Sequence, residues 1–195
     1  MTLPVRLWLR RSTALLAFPA MLVVVAIVLF SRTGWAWERS QTVSWATSST
    51  ILLGPLAAGL VAFDLWRRQT QTMSALTATT RRGTQGLLAN MIATWLLTVL
   101  AWLIGVVVAL VIATRNGAVG PIPWWTLGQG LISLLACVCI GALVGTQFKN
   151  VAAAPLAVVI CYSIPIAATW LGVQGVMLAG GATAPLIGIT QTPTV

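Results

Sequence analysis

Residues 86–114 read GLLANMIATWLLTVLAWLIGVVVALVIAT, with no charged side chain anywhere in the run. A helix of about 20 apolar residues crosses the hydrocarbon core of a bilayer, so this stretch is long enough to span with tilt to spare. Outward from it, the same signature recurs at residues 46–66 and 13–30 on one side and at 126–146 and 151–171 on the other. The expected fold class is therefore all-α: a polytopic transmembrane helix bundle of about five spans, built as one transmembrane domain. The chain shows no internal repeat and no segment that reads as a soluble domain.

Composition leads to the same place. Of the 195 residues 58% are hydrophobic and only 7% charged, and the mean hydropathy is +0.96. A soluble domain carries about 25% charged residues, enough to cover its surface, and this chain cannot. The net charge of +9 would by itself suggest a nucleic-acid partner. The cations instead sit in small groups at the ends of apolar runs, as membrane proteins place them, so no nucleic acid is expected and the bilayer is the partner. Cys137, Cys139 and Cys161 all lie inside apolar runs and read as small buried residues, neither a disulfide framework nor a metal site.

The connecting segments set the orientation. Residues 1–12 are basic and apolar by turns, suiting an interfacial helix. A basic start before an apolar run also describes a signal peptide, but the run is long and no small-x-small site follows closely, so a retained span is expected. Residues 31–45 read as a polar loop. With the N-terminus inside, Arg6, Arg10, Arg11, Arg67, Arg68, Arg81, Arg82 and Lys149 fall on the inner side and only Arg32, Arg39 and Arg115 outside. That imbalance favours the N-terminus inside. Trp35, Trp37, Trp45, Trp124, Trp125 and Trp170 would then mark the outer interface, with Trp8 and Trp66 at the inner one. Residues 172–195 are rich in glycine and make a poor span; they read as a re-entrant or surface-lying element, or as a tail.

Catalysis finds little support. General acid–base chemistry needs titratable groups within reach of each other. The chain has no histidine and two carboxylates, Glu38 and Asp64, expected on opposite sides of the membrane. No catalytic, cofactor-binding or metal-binding residue is assigned. Gly141 and Gly145 form a GxxxG spacing inside an apolar helix, not a phosphate loop. With Ser133 and Cys137 they make a ridge of small residues every four positions, which permits close helix packing within the chain or between subunits. Asp64 lies four residues before Arg68, the favourable orientation for a helical ion pair. Trp95 and Trp102, seven apart, share a face of span three, and packing is the expected use.

Residues 67–85 are too polar to span. Met73, Leu76 and Thr77 would share a face of a short helix, flanked by Arg67 and Arg68 on one side and by Arg81 and Arg82 on the other. Such a helix could lie along the inner membrane surface, held by anionic headgroups; an ordinary cytoplasmic loop is the alternative.

Residues 54–83, GPLAAGLVAFDLWRRQTQTMSALTATTRRG, resemble the corresponding region of the permease subunits of type-2 ABC exporters. Those begin with a basic interfacial helix, a span and an outer loop. Their second span ends in an acid followed by basic residues, a Leu-Thr-Thr-like helix and another basic pair. Asp64, Arg67, Arg68, Leu76, Thr79, Thr80, Arg81 and Arg82 match in kind and order. The resemblance covers most of residues 1–171 in layout and residues 54–83 in detail. It implies that 67–85 carries a cytoplasmic coupling helix docking on a separate ABC ATPase subunit through Arg67, Arg68, Met73, Leu76, Thr77, Thr80, Arg81 and Arg82. It further implies ATP and magnesium in that partner, a second permease chain, and export of an apolar or amphipathic cargo across the plasma membrane. Permeases of this family have a sixth span that residues 172–195 do not supply, so a permease truncated before that span, or an unusual half-module, is expected. The competing expectation is a membrane scaffold or accessory subunit that transports nothing.

Overall fold

A computed structural model describes residues 13–70, 81–148 and 150–170. The described chain is all-helical, with no strand. Six helices follow one another: α1 (Thr13–Phe30), α2 (Arg39–Ser48), α3 (Thr50–Thr70), α4 (Arg81–Arg115), α5 (Trp124–Gln147) and α6 (Ala153–Trp170), with a 3-10 turn, Trp35–Trp37, between α1 and α2.

Three helical stretches are long and apolar enough to cross a membrane: Arg39–Arg67, which joins α2 to α3, Leu87–Arg115 in α4, and Trp124–Gln147 in α5. Two shorter apolar helices, Leu15–Phe30 and Ala153–Ile164, accompany them. The chain is thus a helical membrane protein.

The helices depart from the sequence reading at the polar connecting segments. Residues 31–45 were expected to be a polar loop, yet α2 begins at Arg39 and includes the polar run RSQTVSWATS. Its hydroxyls explain this. Thr47 donates to the Val43 carbonyl at 2.8 Å, Ser48 to Trp45 at 2.6 Å and Ser49 to Ala46 at 2.7 Å. Each side chain thereby meets its hydrogen-bonding need on its own helix, and the polar residues can be buried without a separate partner. Thr42, Val43, Ala46 and Thr47 form the buried face. Ser49 alone separates α2 from α3; its backbone remains right-handed helical (φ −61°, ψ −20°).

α4 is one 35-residue helix, and it starts at Arg81, within the stretch read as an inner polar segment. Its far end is closed by a Schellman turn. The Ala118 N–H reaches the Ala113 carbonyl at 2.9 Å, and the Gly117 N–H reaches Thr114 at 3.2 Å. Gly117 takes the left-handed position with φ +75°, and the buried Ala113 and Ala118 supply the apolar contact that accompanies such turns. Gly117→Ala should cost about 1 kcal/mol, because a Cβ is disfavoured at that φ, and the loss should register as a lowered thermal midpoint in detergent. Beyond the turn, the Val119 carbonyl accepts the Arg39 N–H at 3.2 Å, which stitches the loop after α4 to the start of α2.

α3 lies at the centre. It packs most extensively on α5, then on α6, and also touches α1 and α4; α4 lies chiefly against α1 and α2. The α3–α5 interface is made of small residues. A Cβ placed on Gly141 would lie 2.3 Å from the Ala58 carbonyl oxygen, one on Gly145 2.9 Å from Ala62 Cα, and one on Gly54 2.7 Å from Cys137 Sγ. Gly59 meets α6 in the same way, at Val158. Lipid offers no hydrophobic drive between helices, so this close approach, with the van der Waals contact it permits, holds them together.

Candidate functional site

Of the residues singled out from the sequence, Asp64, Arg67, Arg68, Arg81 and Arg82 lie at the end of the bundle where α3 finishes and α4 starts. Leu65 near the end of α3 belongs to one apolar cluster with Val61, Val138 and Ala142, against which Leu87 and Met91 of α4 pack. Asp64 is buried in α3, and Arg67, one turn on, is exposed. Arg68 lies in α3, and Arg81 and Arg82 open α4, so the two basic pairs are carried by helices that converge on one end. Met73, Leu76, Thr77 and Thr80 lie outside the described residues, as do Thr79, the interfacial segment 1–12 and residues 171–195. The Asp64–Arg68 pair also rests on a side chain outside the description.

The small-residue ridge of α5 faces α3. Ser133, Gly141 and Gly145 are buried and Cys137 is half-buried. Cys137 and Cys161 meet between α5 and α6. Cys139, two residues from Cys137, points the other way and is exposed, so it is not the buried small residue expected from its apolar surroundings. On a helix, a two-residue step turns a side chain to nearly the opposite face.

At the opposite end, Trp37, Trp124 and Trp125 are each at least 70% exposed, the arrangement of an aromatic belt. Trp35 was expected there too, but it is buried and belongs to the apolar core with Met21, Leu29 and Trp102. Trp45 is half-buried; its N–H reaches the Leu29 carbonyl at 3.4 Å and the Arg32 guanidinium sits 5.4 Å from its ring. Glu38 accepts a hydrogen bond from Ser40.

One feature of the interior was not anticipated. Asn90, Thr94, Thr98 and Trp102 of α4 recur every four residues, and all four are buried. They form a polar stripe about 18 Å long, at 1.5 Å per residue, that begins nine residues after Arg81 and passes the middle of the helix. The Thr98 hydroxyl donates to the Thr94 carbonyl at 2.8 Å and lies 3.9 Å from Met21 Sδ of α1. The Trp102 ring is seated against Gly130 of α5, where a Cβ would come within 2.6 Å of Cζ2 and 3.3 Å of Thr47 Cγ2. The spacing was visible in the sequence. What was missing was a reason to place that face inward, since the remainder of α4 is apolar on all sides.

Among the described residues no three His, Cys, Asp or Glu side chains cluster as a metal site would require. Comparison of the chain with the patterns of known families, with characterised proteins and with solved structures returned no match.

Proposed function

We propose that this chain is a multi-pass permease subunit of an ATP-driven exporter, with five spans, its N-terminus inside, and a coupling segment at 67–85 that docks on a separate ABC ATPase. The observation that carries the reading is the convergence of α3 and α4 on one end of the bundle. Each brings an arginine pair to the two ends of the short segment between them. A partner pressing on that segment would act on two helices at once. Of these, α3 is packed tightly on α5 and α6, while α4 lies chiefly on α1 and α2. ATP binding to the partner would supply the differential affinity between inward- and outward-facing states that any such shift requires. A second copy or a related permease chain would complete the path, and a plasma membrane is the setting.

Purification from native membranes in mild detergent tests this. Wild type should retain an ABC-type ATPase, identifiable by mass spectrometry. Leu76→Asp combined with Arg81→Glu should lose it while keeping its own helical signal and thermal midpoint. If neither chain retains an ATPase, the permease reading fails and a scaffold or accessory role takes its place.

A further inference from the structure

Polar side chains inside a membrane bundle are costly, and they commonly face a route for solute or water. The plain alternative is that a buried hydroxyl satisfies itself on its own helix. Most of those here do. Thr42, Thr47, Ser48, Ser49, Thr50 and Thr98 each donate to a backbone carbonyl close by in sequence. Two members of the α4 stripe do not. The Thr94 hydroxyl and the Trp102 indole N–H are fully buried, and neither has a hydrogen-bond partner among the described residues. Thr98, one turn along the same helix, shows that a threonine in α4 can back-bond. An indole N–H has no such recourse, since it only donates and reaches past its own helix.

We infer that the stripe Asn90–Thr94–Thr98–Trp102 is a hydrogen-bonding lane for neutral polar groups, namely water and the hydroxyl- or amide-bearing part of a cargo, held closed in this structure. This deepens the permease reading above and rests on it for the direction of use. The lane offers an amide, two hydroxyls and an indole N–H, and none of the four is charged. It therefore suits neutral groups better than ions. Its closure is visible at Trp102, whose ring is clamped between α4 and α5 at Gly130. An unmet buried donor disfavours the closed arrangement relative to one in which water or a solute reaches it. Separation of α5 from α4 at Gly130 would release the Trp102 ring and open the lane at that end.

The test uses the full chain in lipid, with Cys137, Cys139 and Cys161 replaced by alanine and one new cysteine at a time. Thr94→Cys and Thr98→Cys report on the lane. Leu96→Cys and Leu100→Cys, on the exposed face of the same helix at similar depth, are the controls. Reaction with hydroxyethyl methanethiosulfonate should be about tenfold faster at the lane than at the controls, because only a hydrated thiol ionises readily. The trimethylammonium-ethyl and sulfonatoethyl reagents should be slower at the lane than the neutral one. Gly130→Ala, which wedges α5 away from Trp102, should raise the lane rates several-fold and leave the controls unchanged. Lane rates no higher than the controls, a charged reagent reacting as fast as the neutral one, or no response to Gly130→Ala would each overturn the inference. None of these readings needs an ATPase. A reactive lane in a chain that retains no ATPase would sustain the lane and sink the permease reading; an unreactive lane in a chain that does retain one would do the reverse.

Discussion

Gly141→Ala should unseat α5 from α3 and cost about 3 kcal/mol, the upper part of the range for overpacking. The added Cβ would fall 2.3 Å from the Ala58 carbonyl oxygen and 2.6 Å from its Cα. Those atoms are backbone, so no rotamer change can clear the space, and one helix must move. Ala58 and Gly141 lie at the centre of the most extensive contact in the bundle, so the displacement would propagate along α3 to Gly54 and Ala62. The expected readout is a thermal midpoint lowered by many degrees in detergent, with a reduced yield of monodisperse protein. Gly128→Ala on the same helix is the control: a Cβ there meets nothing within 4 Å, so its stability should stay within about 0.5 kcal/mol of wild type and its midpoint should hardly move.

Trp102→Ala should cost about 3–5 kcal/mol, the usual range for deleting a buried aromatic ring. Among the described residues Trp102 is the largest fully buried side chain, and it ties together the cluster formed by Met21, Val25, Leu53, Val106 and Leu134. Those residues come from α1, α3, α4 and α5, so the cavity would open where four helices meet. Denaturant titration of the purified chain, followed by far-ultraviolet circular dichroism, would show the loss. Trp124→Ala removes a ring of the same size that is 73% exposed, and no cavity of that kind would follow. The contrast separates a tryptophan that packs the interior from one that belongs to the rim.

The two substitutions also mark what could be read in advance. The apolar runs were legible as helices because length and absence of charge mark them, and α1, α4, α5 and α6 lie where the runs do; of these, α4 and α5 are long and apolar enough to cross a membrane. The ridge from Ser133 to Gly145 was legible as a close-packing face because only small residues recur there; its partner, Gly54, Ala58 and Ala62 of α3, was not. Those three are equally small and equally spaced, but spacing alone does not say which helix a ridge will meet. α2 was hidden for a different reason. Its sequence is polar, and polarity measures preference for water only when hydroxyls have no carbonyl within reach. On a helix they do. The stripe on α4 was hidden by symmetry, since a run apolar on every side gives no hint of which face turns inward until its neighbours are placed. Trp95 and Trp102 were placed on one face, yet Trp95 is half-buried, bonding the Leu131 carbonyl at 3.4 Å, while Trp102 is fully enclosed.

The length of α4 has a mechanical consequence. At 1.5 Å per residue its 35 residues extend about 52 Å, against roughly 30 Å of hydrocarbon. No proline interrupts it, so it is a stiff beam with one end at the arginine pair and the other at the turn stitched to Arg39. A tilt imposed at Arg81 would arrive at Val119 nearly undiminished and would pull on the first turn of α2. α3 is packed along its length on α5 and α6, so the same push moves it less. The strain must then be taken up between a helix that is pulled and a helix that is held, and only Ser49 lies between them. If a partner works α4 as proposed above, Ser49 is the joint that would have to give, at the far end of α3 from Arg81.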